Sequence, residues 1–364
     1  MRVAVAGAGA FGRNHLRVYR ELETAGLGVS LVAAVEPDAA RGADAAAKYG
    51  IPVYSSVDEM LSADLRLDAA TVAVPTVQHH AVASALLGAG LDLLVEKPLA
   101  ASLKEADDLI ESADSGGRGK VKRILQPGHL ERFNPAVLAV EPKLRRPMFF
   151  EAHRLSVFTP RALDVDVVLD LMIHDLDIVL TFARSPVREV RAVGLPILSP
   201  KVDIANVRVE FESGCVANFT ASRVSTERVR KLRFFEPRQY VSIDYARRDL
   251  LVIGVDGRIP AGILEAIAAG KIDTATLEKL AATAGMTGGS GPGPGLSFSK
   301  PPVTDGEPLR LEIESFLDSV RTRREPRVTA RQGRGALALA LEIQAAMESH
   351  AERAGLKDFF KAGA

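Results

Sequence analysis

The chain has 364 residues, and at roughly 150 residues per domain that length favours two domains. Its 46 basic residues balance its 46 acidic residues, so the global charge gives no reason to expect nucleic acid or an anionic membrane surface as a partner. No apolar run reaches the ~20 residues that span a bilayer. The single cysteine, Cys215, cannot form a disulfide within the chain, which is typical of a cytoplasmic protein.

The first part of the chain alternates short apolar runs with helical patterns. In chain order these are strand 3–6, a glycine turn and a helix, strand 29–35, helix 38–48, a short strand near Val53, strand 69–74, helix 78–88 and strand 91–95. Strands that alternate with helices are typical of a parallel sheet. We therefore predict an α/β Rossmann domain over residues 1–127.

The pattern changes from about residue 148, where strand-like runs follow one another with little helix between them. These runs are 148–157, 187–195, 204–212, 215–222, 229–235, 239–245 and 249–253. They predict an α+β domain over residues 128–330 with a large, mainly antiparallel, open-faced sheet. The Gly/Pro-rich insert 283–302 is expected to be a flexible loop. Helices near 308–322 and 331–350 follow, and residues 331–364 are expected to pack back on the body.

A glycine motif, Gly7-Ala8-Gly9-Ala10-Phe11-Gly12, lies between the first strand and the first helix. In a dinucleotide-binding turn, the first glycine permits the tight turn and the second lets the backbone approach a pyrophosphate. The third lets helix and strand pack closely, so that the helix N-terminus can hold the phosphates. The alternative is an ordinary glycine-rich turn, but the strand, the helix and the spacing favour a cofactor.

Glu36 ends the second strand, 24 residues after Gly12. An acid at this point can accept hydrogen bonds from the adenosine ribose and repel a 2′-phosphate. We therefore expect NAD. NADP is the less favoured cofactor, and it stays an alternative because Arg41 lies nearby in the sequence.

Two further loops follow buried strands, at the sheet edge where open α/β folds bind ligands. The first loop carries Pro75, Thr76 and His79, and the second carries Glu96 and Lys97. These five residues are predicted to contact the cofactor. The alternative is that the charges are simply the solvated ends of strands.

The run 166–181 is apolar on most sides, which indicates a buried helix. At about 100° per residue its polar members fall on one side of that helix: Asp166, Asp170, His174, Asp177 and Thr181. Buried carboxylates need partners, and an Asp–His pair four residues apart can hold an imidazole as a base. A structural polar network or a metal site are the alternatives, but no further ligand cluster is visible and no metal is expected.

Other polar groups carry weaker signals. His129 lies in the segment 128–135, which is too polar to be core, and Arg154, Arg161 and Arg223 lie in or beside strands of the second domain. If the ligand carries phosphates, bidentate guanidinium contacts are natural anchors. A solvated surface explains such arginines equally well.

Four motifs in this order, GAGAFG, PTVQHH, EKP at 96–98 and D-x-x-x-H-x-x-D at 170–177, resemble the glucose–fructose oxidoreductase / inositol dehydrogenase / rhizopine catabolism (Gfo/Idh/MocA) family. The resemblance covers almost the whole chain. It implies that Lys97 and His174 flank the reacting sugar carbon beside the nicotinamide, with Asp170 beside them. It also implies substrate contacts by Lys97, His129, Arg154, Arg161, Asp170 and His174.

Within the family, GHLERFNPAV and VLDLMIHDLDIV resemble the branch of UDP-N-acetylglucosamine 3-dehydrogenases, which serve lipid A synthesis. The substrate expected from this resemblance is a sugar or nucleotide sugar, and the enzyme is expected to be a homodimer or homotetramer. A dehydrogenase of inositol or another unactivated sugar is an alternative. A non-catalytic NAD-binding sensor or scaffold is another, because a fold alone does not prove turnover.

Overall fold

The computed structural model describes residues 1–116, 121–159, 165–255 and 296–356. The chain forms two compact units, Met1–Phe133 with Gly306–Leu339, and Asn134–Asp305 with Ala340–Ala364. The division differs from the predicted one in residues 128–133 and 306–330, which we assigned to the second domain and which belong to the first unit. Residues 331–339 of the predicted C-terminal segment also belong to the first unit.

The first unit contains a six-stranded sheet in which every pairing is parallel. Its strands are β1 (Arg2–Ala6), β2 (Ser30–Val35), β3 (Val53–Tyr54), β4 (Ala69–Val72), β5 (Asp92–Glu96) and β6 (Leu125–Gly128). The helices that connect them are α1 (Ala10–Thr24), α2 (Ala39–Tyr49), α3 (Val57–Ser62), α4 (Thr76–Gly88) and α5 (Leu103–Ser115). The strand order β3-β2-β1-β4-β5-β6 is that of the Rossmann fold, which confirms the predicted class.

A late helix completes the core of this unit. Helix α8 (Pro308–Thr322) buries Ile313, Phe316, Leu317 and Val320 in the same cluster as Leu16 of α1. The spacing of these four residues puts them on one face of the helix. Burying each side chain contributes roughly 1.5–3 kcal/mol, which explains why α8 belongs to the first unit.

The second unit contains an eight-stranded sheet in the order β14-β13-β12-β11-β7-β10-β9-β8. Its strands are β7 (Phe149–Leu155), β8 (Val187–Leu195), β9 (Ile204–Phe211), β10 (Val216–Ser222), β11 (Val229–Glu236), β12 (Gln239–Asp244), β13 (Asp249–Val255) and β14 (Leu296–Ser299). Only the β7–β10 pairing is parallel among these described strands, so the prediction of a mainly antiparallel sheet is confirmed.

Strand β14 corrects the prediction that residues 283–302 form a flexible loop. Its backbone pairs antiparallel with β13, Phe298 opposite Ile253. The β-forming run Leu296–Ser299 follows the Gly/Pro-rich stretch and completes an edge that β13 would otherwise leave open. Residues 283–295 lie outside the described residues.

Helices of the second unit pack on one face of its sheet. They include α6 (Pro135–Val140), α7 (Ile173–Ala183) and part of α9 (Ala330–Arg353), and Phe182 of α7 lies 6.0 Å from Phe234 of β11, between ring centroids. The helix predicted over 166–181 starts as a π-helical turn, Val168–Met172, which leads into α7. None of the helices within the described ranges has both the length and the apolar character that a bilayer crossing requires.

Candidate active site

The loop between β1 and α1 has the backbone geometry that its glycines predict. Gly7 has φ +98°, and a Cβ added there would lie 2.5 Å from the carbonyl oxygen of Ala73. A Cβ added to Gly12 would lie 1.8 Å from the carbonyl oxygen of Gly7. Neither distance is possible for a real side chain, so both positions require glycine for close packing of the backbone.

Gly9 differs from its two neighbours because it does not need to be glycine for the protein's own packing. A Cβ added to Gly9 meets no atom of the described residues within 4 Å. Gly9 is also the N-cap of α1, and the helix continues through Ala10, an exposed Phe11 and Gly12. The first backbone N–H groups of a helix have no partner within it and carry a partial positive charge. Open space beside uncapped N–H groups fits the pyrophosphate of a dinucleotide.

Glu36 is fixed beside this loop. Its Oε2 accepts a hydrogen bond from the Ala8 N–H at 2.8 Å, and its Oε1 accepts from the Asp38 N–H at 3.1 Å and from Arg41 at 2.8 Å. Burial raises the pKa of the Glu36 carboxyl, but the hydrogen bonds from Arg41, Ala8 and Asp38 outweigh it and hold the pKa below its usual value. The carboxylate is therefore ionised and holds the glycine loop. The ribose contact of Glu36 stays a prediction.

The second predicted loop leads into α4, which begins at Thr76 after an exposed Pro75. His79 lies in the first turns of α4 and is buried. Its Nδ1 lies 2.8 Å from the carbonyl oxygen of Pro98, and its Nε2 lies 2.9 Å from that of Val74. The ring thus contacts the backbone of two predicted loops, the one that carries Pro75 and the one that carries Lys97.

The third predicted loop begins where β5 ends, at Glu96. The Oε1 of Glu96 lies 2.8 Å from Nε2 of His15 in α1, and its Oε2 accepts the Lys97 N–H at 3.2 Å. Burial raises the pKa of Glu96, but His15 and Lys97 outweigh it and keep the pKa low. Lys97 is half-buried, and the Lys97–Pro98 peptide bond is cis.

His15 is a residue that the motif analysis missed. It lies three residues after Gly12 on the buried face of α1, next to Leu16. The available signal was its position, since an imidazole on a core-facing helix position needs a polar partner.

The polar residues predicted as one stripe on helix 166–181 do not share one environment. Asp166 caps the π turn, accepting from the N–H groups of Val168 and Leu169, and also accepts from Gln344. Asp177 is buried, while Thr181 bonds to the carbonyl oxygen of Asp177. The regular 100° step fails over the π turn, whose hydrogen bonds join residues five apart.

The two residues of this segment that matter most for the proposed chemistry are half-buried. Asp170 lies within the π turn and His174 is the second residue of α7. π turns inside helices are frequent at functional sites. The adjacent Asp175 is almost fully buried.

Asp175 engages one of the arginines that we predicted to bind substrate. Arg154 donates from Nε and Nη2 to the two carboxylate oxygens of Asp175, at 2.7 and 3.1 Å, and its guanidinium lies over the ring of Tyr245. Arg154 is 3% exposed. Substrate binding by Arg154 stays a prediction, and the contacts present join β7 to α7. Arg161 lies outside the described residues.

Arg223 has similar surroundings. Its Nε donates to Asp203 at 2.6 Å, and it also donates to Ser199 and to the carbonyl oxygen of Val165. His129, a further predicted substrate contact, is buried and belongs to the first unit. Among the described residues no group of three or more His, Cys, Asp or Glu is arranged to hold a metal ion.

Comparison with known proteins identifies the family. Residues 1–121 match the model of an oxidoreductase family with an NAD-binding Rossmann fold, and residues 136–243 match the Gfo/Idh/MocA C-terminal domain. The chain is 31% identical over 354 residues to UDP-N-acetylglucosamine 3-dehydrogenase of Acidithiobacillus ferrooxidans, covering 97% of this chain and 99% of the relative. The chain belongs to the Gfo/Idh/MocA family. It is an oxidoreductase that uses an NAD-type cofactor and acts on sugar hydroxyls.

Some relatives match a smaller part of the chain in sequence. Inositol 2-dehydrogenase of Acidothermus cellulolyticus is 29% identical over 199 residues, which is 53% of this chain and 56% of the relative. A solved structure of the Acidithiobacillus ferrooxidans enzyme superposes with a TM-score of 0.79, covering 96% of this chain and 98% of that one. The similarity to that enzyme therefore includes both units.

Proposed function

We propose that this enzyme oxidises the C3 hydroxyl of UDP-N-acetylglucosamine with NAD, giving a 3-keto nucleotide sugar for lipid A or other cell-envelope precursors. The observation that carries the proposal is the extent of the similarity to a UDP-N-acetylglucosamine 3-dehydrogenase, 97% of this chain and 99% of the relative. The match to the inositol dehydrogenase covers about half of each chain. A nucleotide-sugar substrate accords best with that difference.

The cofactor would bind along the strand ends of the first unit. Gly7, Gly9, Ala10, Phe11 and Gly12 would hold the pyrophosphate, and Glu36 would hold the ribose. The nicotinamide, when bound, supplies the hydride acceptor for the oxidation. Around it we propose contacts from the remaining strand-end residues, Pro75, Thr76, His79, Glu96 and Lys97.

The proton chemistry belongs to three side chains. His174 would accept the proton of the sugar hydroxyl as the C–H bond of the same carbon gives up its hydride. A base is needed because an unactivated hydroxyl has a high pKa. The Lys97 ammonium would donate a hydrogen bond to the sugar oxygen and stabilise its developing negative charge, mainly in the transition state. Asp170 would orient His174.

The UDP group would supply binding energy away from the reacting carbon. His129, Arg154 and Arg161 are the proposed contacts, because guanidinium groups pair with phosphates through two parallel hydrogen bonds. Remote binding energy of this kind positions a substrate, so the free sugar should be turned over poorly.

The test is NADH formation with matched substrates. We expect UDP-N-acetylglucosamine to be oxidised and UDP to inhibit, while N-acetylglucosamine, myo-inositol and glucose give little product at the same concentration. Lys97→Ala and His174→Ala should each lower kcat by ~10²–10⁴-fold. Fast turnover of inositol or glucose with no effect of UDP would replace the nucleotide-sugar proposal with the inositol alternative. No turnover of any sugar would favour an NAD-binding sensor.

We also propose that the enzyme is a cytoplasmic homodimer or homotetramer that associates through the open face of its large sheet. Half-buried aromatic residues cross this face, with Phe149 and Phe235 at 5.5 Å and Phe235 and Tyr240 at 5.2 Å between ring centroids. Apolar sheet surface is rarely left to water. Light scattering at micromolar concentration should give a multiple of the 38.9 kDa chain mass, and Phe235→Asp should lower it.

A further inference from the structure

Two buried histidines of the first unit contact the residues on either side of Lys97. His15 reaches Glu96, the residue before the lysine, and His79 reaches the carbonyl oxygen of Pro98, the residue after it. Each histidine is 1% exposed. The segment that carries Lys97 is therefore fastened at both ends by imidazole rings from different helices.

The two helices that carry these histidines each follow a predicted cofactor loop. His15 lies in α1, which follows the glycine loop, and His79 is the fourth residue of α4, which begins at Thr76 after Pro75. Nε2 of His79 also lies 2.9 Å from the carbonyl oxygen of Val74, so the ring lies between that loop and the lysine segment. A neutral ring donates to one of the two carbonyls. Both contacts run from a helix that follows a predicted cofactor loop to a chain neighbour of Lys97, the Glu96 carboxylate or the Pro98 carbonyl.

The contact with Glu96 defines which ring nitrogen of His15 donates a hydrogen bond. A carboxylate oxygen accepts only, so Nε2 of His15 must donate to Oε1 of Glu96. Nδ1 of His15 is buried and has no hydrogen-bond partner among the described residues. The contact with Glu96 therefore fixes Nε2 as the nitrogen that donates toward the lysine segment.

Glu96 transmits this contact to the lysine. Its other oxygen, Oε2, accepts the Lys97 N–H at 3.2 Å. Gly128 of β6 lies opposite Glu96, and a Cβ added to Gly128 would lie 3.1 Å from Cα and 3.2 Å from Oε2 of Glu96. The neighbouring strand thus leaves just enough room for the carboxylate.

We propose that His15 and His79 are positioning residues that hold Lys97 in register with the cofactor loops, an inference that rests on the proposed role of Lys97. Neither ring is required to touch the sugar. A displacement of about 1 Å at a catalytic group can cost ~10²-fold in rate, which is the scale of effect expected from releasing the lysine segment.

The test compares His15→Leu with Tyr19→Phe. Tyr19 lies one turn further along α1, is buried, and bonds through its hydroxyl to Thr71 at 2.8 Å, away from the lysine segment. Both variants should lower the unfolding temperature. Only His15→Leu should lower kcat for NADH formation with UDP-N-acetylglucosamine, by ~10–100-fold. His15→Gln keeps a donor for Glu96 and should restore most of the rate.

A double-mutant cycle shows whether His15 acts through the lysine. In a Lys97→Ala background, His15→Leu should cause little further loss of kcat, because the group that it positions is gone. A full, independent loss in that background would overturn the proposal. If Lys97→Ala alone leaves turnover unchanged, it is the proposed role of Lys97 that fails.

Hydrogen exchange supplies a readout that needs neither substrate nor cofactor. In the protein alone, the peptide that contains Lys97 should exchange its amide hydrogens at least ~10-fold faster in His15→Leu and His79→Leu than in wild type. Tyr19→Phe should leave that peptide unchanged. Equal exchange in all four proteins would overturn the proposal whatever the activity measurements show.

Discussion

The two units use their buried polar residues differently. In the first unit, Glu36, His79 and Glu96 contact backbone groups of loops at the ends of parallel strands. In the second unit, two buried arginines contact carboxylates, Arg154 with Asp175 and Arg223 with Asp203. The first arrangement shapes loops that face open space, and the second joins elements of the unit to one another.

This difference separates two consequences of substitution. A loop-holding residue has its main effect on what the loop binds, whereas a buried ion pair has its main effect on folding, because breaking it leaves an uncompensated charge. A residue that holds a loop and a residue in a buried ion pair therefore call for different measurements.

The largest effect is expected from Asp203→Ala. Asp203 is fully buried and accepts from Arg223, from the side chain of Ser199 and from three backbone N–H groups at 197–199. Its removal leaves the buried Arg223 charge without its carboxylate partner and the three backbone N–H groups without their acceptor, which should cost ~3–5 kcal/mol in the free energy of unfolding. Urea unfolding measures the loss.

Glu210→Ala is the matched control in the same sheet. Its pair with Arg188 is exposed, at 3.4 Å, and exposed pairs contribute about 0–1 kcal/mol. An equal loss in the two variants would remove the distinction between framework pairs and surface pairs.

The next effect is expected at the glycine loop. Gly9→Val places a side chain where the described residues leave open space, so the unfolding temperature should stay close to wild type while NADH affinity falls by ~10–100-fold. Gly12→Ala should instead lower the unfolding temperature, because its Cβ would meet the Gly7 carbonyl. Fluorescence titration with NADH and thermal unfolding measure the two quantities. Unaltered NADH affinity in Gly9→Val would move the cofactor away from this loop.

The glycine loop was predictable because its backbone geometry admits few residue types. The spacing of the glycines in the sequence therefore indicates the conformation of the loop. The same holds for the strand order, since alternating apolar runs and helices leave few topologies. The partners of Arg154 and Arg223 were not predictable, because they lie 21 and 20 residues away in sequence and only the folded sheet brings them together. The π turn at 168–172 likewise has no periodic signal in the sequence. It interrupts the regular 100° step on which the prediction of a polar stripe depends.

A smaller effect is expected at Glu36, where the loop and the cofactor preference meet. Glu36→Gln keeps an acceptor for the Ala8 N–H but removes the charge that would repel a 2′-phosphate. The ratio of kcat/KM for NAD over NADP should fall by ~10-fold. Arg41→Gln should raise the ratio, since the exposed Arg41 guanidinium is the cation available to a 2′-phosphate. If neither ratio changes, the ribose lies elsewhere.

The smallest effect is a difference between the units in the pH dependence of stability. Burial lowers the pKa of His79 below the ordinary 6.5, outweighing the hydrogen bonds to the Pro98 and Val74 carbonyls that raise it. Below about pH 6.5 the unfolded chain then takes up a proton that the folded one resists, so stability falls as the pH drops, by at most ~1.4 kcal/mol per pH unit.

Asp203 acts in a lower window. Burial raises the pKa of its carboxyl, but the hydrogen bonds from Ser199, Arg223 and the backbone N–H groups of Ile197 and Leu198 hold it far below the ordinary 3.8. Its contribution is complete above about pH 4 and is lost as the pH falls further, because the unfolded carboxylate protonates first. Urea unfolding at a series of pH values measures both effects. His79→Gln should reduce the pH dependence of the free energy of unfolding only in the range below about pH 6.5, and Asp203→Asn only in the range below about pH 4. A single window changed by both variants would mean that the two regions do not titrate independently.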